Sequence, residues 1–281
     1  MSEEWRIDLG MPAVLVFRGP DAVRFLNGQI TQDVRRVVGS GLMLPACVTD
    51  AKGKLQFRVW LTESEGGLWI IGGADSAEAL EARITRYLIA DDVEVENLTG
   101  HYALVHFTGM SGGGIPAGVI ARASERFGEP GADWLVPAGE EVILPAVPRL
   151  EGEALEHFRI SRGIPQWGVD LLEGQLPPEA GLDATDISYQ KGCYIGQEVI
   201  SRIKSAGKVN RSLTRLWVPE TVTTPCELFI TDGRSAGTLT SVSPVVTEGK
   251  RAALGYIKRT AEEEPQWFAD LDQRLVVKRR G

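Results

Sequence analysis

The feature that most constrains the fold is a change of texture after Lys204. From there to the C-terminus the chain reads as five short strands, at 213–218, 227–230, 236–242, 252–257 and 275–278, separated by turns, with no convincing helix except around 262–269. Short strands at close spacing avoid unpaired edges by closing on one another, so the pattern predicts a small antiparallel barrel. The boundary falls near residue 205. It divides the chain into a module over 1–204, with room for two interleaved subdomains, and a barrel over 205–281.

The first module alternates strands and helices. Residues 14–17 read as a strand; Gly19-Pro20-Asp21 then opens a helical turn carrying Val23 and Leu26, and Asn27-Gly28 stops it. Residues 42–49 and 55–61 form a predicted hairpin across Asp50-Ala51-Lys52-Gly53, and 68–71 continues the meander. In the second hairpin strand Leu55, Phe57, Val59 and Leu61 alternate with Gln56, Arg58 and Trp60, which makes one face apolar. Ser76 is expected to cap a helix running to about Ala90. Further strands follow near 93–95, 102–107, 119–121 and 134–136. Ser111-Gly112-Gly113-Gly114 lacks the lysine and the strand-to-helix setting of a phosphate loop. A helix over 153–162 ends at Gly163, a suitable C-terminal cap. Residues 164–190, rich in Pro, Gly and Asp, form an irregular connection whose length points to a functional role.

That connection leads into residues 190–203, Gln-Lys-Gly-Cys-Tyr-Ile-Gly-Gln-Glu-Val-Ile-Ser-Arg-Ile. Val199, Ile200 and Ile203 suit one face of a helix starting near Gly196, with Glu198 in its first turn opposing the dipole. Cys193 then lies just before a helix N-terminus, between Lys191 and Arg202. Such a setting stabilises a thiolate, and the glycines at 192 and 196 let backbone approach a partner closely. The alternative is a small buried hydrophobe in a turn shaped by glycine.

Several function classes are excluded by composition. The chain has 281 residues, 43% hydrophobic and 24% charged, with no apolar run near the roughly 20 residues of a membrane span. The acidic start, Met-Ser-Glu-Glu, lacks the basic and apolar regions of a secretory signal, so a cytoplasmic location is expected. Cysteines at 47, 193 and 226 form no disulfide framework, and His101, His106 and His157 lack metal-site spacing; no metal is expected, and the histidines read as incidental. A net charge of −8 argues against general nucleic-acid attraction. The local exception is Arg202, Lys204, Lys208, Arg211 and Arg215, a stretch without acidic residues that is either an RNA or anion contact or a solvated surface.

Lys191-Gly192-Cys193-Tyr194-Ile195-Gly196-Gln197-Glu198, followed by Arg202, resembles the K-G-C-[FY]-x-G-Q-E signature of the YgfZ family, folate-binding proteins related to the glycine-cleavage T-protein. Residues 19–33 resemble that family's opening G-x-D-A-x-x-F-L-N-x-Q-x-T-x-D. Arg162-Gly163-Ile164-Pro165 with Gly168 and Asp170 is similar to its R-G-x-P-x-x-G-x-D segment, and Gly237-Thr238-Leu239-Thr240-Ser241 with Leu254-Gly255-Tyr256 to its barrel. The implied fold is α+β: a T-protein-like N-terminal module of mixed sheets and helices around a central channel, plus a small C-terminal antiparallel β-barrel.

What the resemblance implies for function is a protein that binds tetrahydrofolate or a derivative and supports iron–sulfur client enzymes, including those that modify tRNA. In that reading Cys193 is the working thiol and Lys191 or Arg202 lowers its pKa. Tyr194 and Arg202 are folate-site candidates. Glu129, in a Gly128-Glu129-Pro130-Gly131 string like the T-protein's G-E-D-G, is either the pterin-binding carboxylate or an exposed turn residue. Arg159, aligned with an arginine of the T-protein's L-R-x-E-A-G segment, is either a ligand for the folate tail or half of an ion pair. The T-protein's catalytic aspartate has no counterpart: Phe57 and Arg58 stand where its acids would be, and 54–62 holds no carboxylate. Ordinary aminomethyl transfer would lose its principal group. Two other readings stand beside this one: a one-carbon (aminomethyl or methyl) transferase using Asp50 or Glu129, and a non-enzymatic RNA-binding scaffold with possible tRNA contact through the basic stretch.

Overall fold

A computed structural model describes residues 4–109, 114–272 and 274–280; of the serine–glycine run at 111–114, the first three residues lie outside them. By contacts the chain forms two compact units, Met1–Leu150 with Asp183–Val199, and Glu151–Leu182 with Ile200–Gly281. Each is assembled from two stretches of chain. Residues 151–182 group with the barrel residues, and the chain re-enters that unit at Ile200.

The first unit contains β1 (Arg6–Asp8), β2 (Ala13–Arg18), α1 (Ala22–Gln29), β3 (Leu44–Thr49), β4 (Leu55–Ser64), β5 (Gly67–Gly72), α2 (Ala77–Thr85), β6 (Glu94–Asn97), β7 (Tyr102–Thr108), β8 (Ile120–Ser124) and β9 (Gly131–Pro137). The strands form two antiparallel sheets, ordered β3-β4-β5-β2-β6 and β1-β7-β9-β8. Alternation along the first sheet explains its layering. Leu15, Phe17, Val59, Leu61 and Ile70 pack on Phe25 and Leu26 of α1 and on Leu80 and Ile84 of α2. From the opposite face Val14, Val16, Trp69 and Ile71 meet Leu104, Ile120 and Leu135 of the second sheet. Each such fully buried side chain contributes about 1.5–3 kcal/mol.

α2 is shorter than expected, ending at Thr85. The Thr85 hydroxyl donates to the Glu81 carbonyl at 2.8 Å, a local bond that competes with helix continuation. Ser76 precedes the helix but its hydroxyl donates to the Gly73 carbonyl instead of capping.

The second unit holds α3 (Gly152–Arg162), most of α4 (Gln197–Ala206), and β10 (Arg211–Pro219), β11 (Cys226–Phe229), β12 (Ser235–Thr247), β13 (Lys250–Lys258), β14 (Trp267–Phe268) and β15 (Val276–Arg279). The strands close into an antiparallel barrel, β10-β13-β12-β11-β14-β15, whose last seam pairs Leu216 with Arg279 and Trp217 with Lys278. The helix expected at 262–269 is absent from the described residues: a single turn at Arg259–Ala261 is followed by β14. Trp267 and Phe268 are buried and bridge β11 to β15, so a helix there would have left two strand edges open. α3 ends at Gly163, φ +79°, and lays Ile160 against Ala252 and Leu254. Among the described residues no helix is long and apolar enough to cross a membrane.

Candidate functional site

The opening string and the cysteine signature, some 160 residues apart in the chain, meet in the first unit. Thr31 is the pivot. Its hydroxyl donates to the Asp186 carbonyl at 2.6 Å and accepts from the Cys47 amide at 2.8 Å, while its backbone pairs with Cys47 and Ser188. Gln32 Nε2 donates to the carbonyls of Pro45 and Thr185. The Ile195 amide donates to the Gly28 carbonyl, and Thr49 Oγ1 to the Ile195 carbonyl at 2.6 Å.

Lys191 and Tyr194 are the inward-facing members of the signature, each 7% exposed. Lys191 Nζ donates to the carbonyls of Ile30 and Gln32, both at 2.7 Å, and lies 5.1 Å from the centre of the Tyr194 ring. Burial lowers the pKa of this amine to about 7. A neutral amine has two N–H groups, the number the two carbonyls require. Lys191 therefore fastens the signature to the α1–β3 connection. Burial likewise pushes the Tyr194 phenol up, and its hydroxyl is buried without a hydrogen-bond partner among the described residues.

The two glycines do different work. Gly196 has φ +89°, and a Cβ there would lie 2.5 Å from the Asp50 carbonyl oxygen and 2.9 Å from Gly53 Cα. The close approach that glycine permits at this position is to the β3–β4 hairpin, not to a ligand. Gly192 has open space around it. Cys193, beside it, is the exposed cysteine of the three; Cys47 is buried and Cys226 half-buried. The outcome is an exposed thiol on a short loop anchored on both sides, at Lys191 and at Tyr194–Gly196.

The same unit holds a polar network that the sequence did not announce. Arg58 of β4 grips Asp186 with two bonds, Nε to Oδ2 at 2.7 Å and Nη2 to Oδ1 at 3.2 Å, and Asp186 is fully buried. The residue standing where the T-protein carries acid is thus a cation already matched to a carboxylate. Trp60, two residues on and on the same face, has the Arg58 guanidinium 5.0 Å from its ring centre and the Arg126 guanidinium at 3.7 Å. Arg126 is bound in turn by Asp133, which also accepts from His106 Nδ1 at 2.7 Å. Burial would raise the Asp133 pKa, but Arg126 and the His106 bond outweigh it and hold it at about 2. His106, expected to be incidental, is a fully buried member of this network.

The remaining candidates lie elsewhere. Glu129 is half-buried in the β8–β9 turn, three residues after Arg126. Arg202 is exposed on α4. Arg159, 6% exposed, spends all five N–H groups inside the second unit: on both Glu156 oxygens, on Asp170 Oδ2 at 2.8 Å, on Ser241 Oγ and on the Ile164 carbonyl. It has no donor left for a folate tail unless a protein bond breaks. Asp50 Oδ1 accepts from the amides of Lys52 and Lys54 and shapes the hairpin turn. Among the described residues no group of three or more His, Cys, Asp or Glu is placed to hold a metal ion. Arg58, Trp60, Arg126, Asp133 and Asp186 were not legible as site residues because the contacts that join them, Arg58 to Asp186 and Arg126 to Trp60, link stretches distant in sequence. The one available signal was the polar Arg58-x-Trp60 face of an otherwise apolar hairpin.

Comparison with known proteins agrees with the motif reading. No family model matches the chain. It is 27% identical to the tRNA-modifying protein YgfZ of Klebsiella pneumoniae (strain 342), over 73% of this chain and 68% of that protein, and 28% identical to the protein of the same name in Cronobacter sakazakii, over 72% and 67%. Among solved structures it is similar to the glycine cleavage system aminomethyltransferase T from Bartonella henselae, with a TM-score of 0.79 at 17% identity, covering 99% of this chain and 85% of that one. The chain is YgfZ-like in sequence and T-protein-like in fold.

Proposed function

We propose that the protein binds tetrahydrofolate or a derivative in the cytoplasm and supports iron–sulfur cluster assembly or repair in client enzymes, including enzymes that modify tRNA. The observation that carries this reading is the presentation of Cys193: exposed, while Lys191, Tyr194 and Gly196 around it are spent on holding the loop. A signature that served folding alone would have no need of a thiol at an outward position. A cluster, or a reactive adduct on its way to a client, is the cargo such a thiol would meet.

The residues present suit a folate in kind. A pterin has donor and acceptor edges, and buried polar atoms without partners, Trp60 Nε1, Ser124 Oγ and the Tyr194 hydroxyl, occur in this unit. Glu129 would hold the pterin donors as their carboxylate partner. Bound folate would supply one-carbon chemistry; the chain's own residues would bind and orient it.

Transferase activity is less well supported, because Arg58 and Asp186 neutralise each other where an acid would be needed and Asp50 is engaged in its turn. The scaffold reading is weakened by Arg211, which belongs to the basic stretch yet binds Glu179 at 2.9 Å. The folate half is tested by calorimetric titration with tetrahydrofolate. Wild type and Cys193→Ala should bind alike and Glu129→Gln at least about tenfold more weakly, the loss of a charge-assisted bond. No binding by wild type would remove the folate assignment.

A further inference from the structure

We propose that Arg58, Trp60 and Arg126 form a subsite for the carboxylate of a bound small molecule. The argument starts from what the two guanidinium groups have left over. Arg58 uses Nε and Nη2 on Asp186, and Arg126 uses Nε and Nη2 on Asp133, with Nη2 also 3.7 Å from Met43 Sδ. In both, Nη1 makes no hydrogen bond to a described residue, and neither Nη1 is among the buried unbonded atoms, so each is open to a partner. Yet the side chains themselves are enclosed, 14% and 7% exposed. Two carboxylates thus fix the guanidinium planes and leave one edge of each free over a shared indole.

The chemistry of that arrangement selects the ligand group. The two free edges offer only donors, two N–H groups each, and a carboxylate is an acceptor-only group with two oxygens able to take bidentate bonds. A pterin edge would need acceptors as well, and the Trp60 face is already covered by Arg126 at 3.7 Å, which leaves poor room to stack a ring there. Because Asp186 and Asp133 are committed, each arginine is held in place before the ligand arrives, so little side-chain entropy is lost on binding. The subsite also accounts for why an arginine at position 58 is compatible with a folate-type protein that has lost the acid: the position now receives a carboxylate instead of supplying one. Where that carboxylate is the glutamate end of a folate, the inference rests on the function proposed above; a separate small carboxylic acid presents the same group, and the test below separates the two.

The test uses the full chain and three titrants: malonate, 5-formyltetrahydrofolate, and the primary amide of 5-formyltetrahydropteroate, which keeps the pterin and carries no carboxylate. Binding is followed by calorimetry and by the Trp60 indole N–H resonance, identified with Trp60→Phe. The expected result is that the folate binds wild type about tenfold more tightly than the pteroate amide, and that Arg126→Lys, which keeps a cation against Asp133 but removes the free edge, erases the difference. Equal binding of both pterins, with a malonate-induced shift of the indole that Arg126→Lys abolishes, supports the subsite and assigns it to a small acid. If neither pterin binds but malonate gives that same response, the subsite stands and the folate reading falls. Equal pterin binding with no response to malonate overturns the proposal, as does a folate preference that survives in Arg126→Lys. Should Arg126→Lys fail to fold, the Trp60 indole resonance reads the subsite on wild type: a shift with the folate or with malonate and none with the amide supports it, and no shift with any of the three titrants overturns it.

Discussion

Gly192 and Gly196 bracket the same thiol and should respond very differently to the same substitution. Alanine at 196 must adopt φ +89° and place a methyl 2.5 Å from the Asp50 carbonyl oxygen, so Gly196→Ala is expected to destabilise the fold by about 2 kcal/mol or more. Alanine at 192 meets nothing, and Gly192→Ala should change the unfolding free energy by less than about 0.5 kcal/mol. Urea titrations of the two variants check this. Lys191 gives a pH prediction whose sign is set by burial. Its folded pKa, about 7, lies below the ordinary 10.5, so between these values the unfolded chain binds more protons and stability rises with pH. Lys191→Met should flatten that rise while leaving the Ile30 and Gln32 carbonyls without a donor, which lowers stability overall. The sequence showed that these residues belong together but not which way they face. Spacing alone made Lys191 a neighbour of the thiol; only the folded chain turns its amine to two carbonyls contributed by the α1–β3 connection.

At the level of elements, alternation read the β3–β4 hairpin, β2, β5, β7 and most of the barrel, and the glycine at 163 marked the end of α3. Strand β14 was not legible, because two residues carry no period, and its place follows from the need to close β11 against β15. The segment 164–190 reads as a loop in sequence, yet Asp170 within it anchors α3: it accepts from Arg159, Ser241, Thr240 and the Gln166 amide. Arg159→Leu leaves Asp170 buried and without its cation, a change expected to cost about 3–5 kcal/mol. Hydrogen exchange should then show lost protection in β12 and β13, with the amides of β3 and β4 unaffected.

For the molecule as a whole, the signature becomes intelligible as two functions interleaved in eight residues: Lys191, Tyr194 and Gly196 tie the loop to the rest of the first unit, and Cys193 is left outside. A ligand that binds only the folded state raises stability by mass action, about 2.7 kcal/mol at one hundred times its dissociation constant. Tetrahydrofolate should therefore raise the melting temperature, and by the same amount in wild type and Cys193→Ala, since the thiol makes no folding contact that the alanine loses. The central claim is that this thiol acts on something beyond the protein itself. The most direct measurement is the activity of an iron–sulfur, tRNA-modifying enzyme in cells that lack their own copy of this protein, supplied with either wild type or Cys193→Ala at equal levels. The account predicts that wild type restores the activity and Cys193→Ala does not, although both melt at the same temperature and bind tetrahydrofolate alike; full restoration by Cys193→Ala would contradict it.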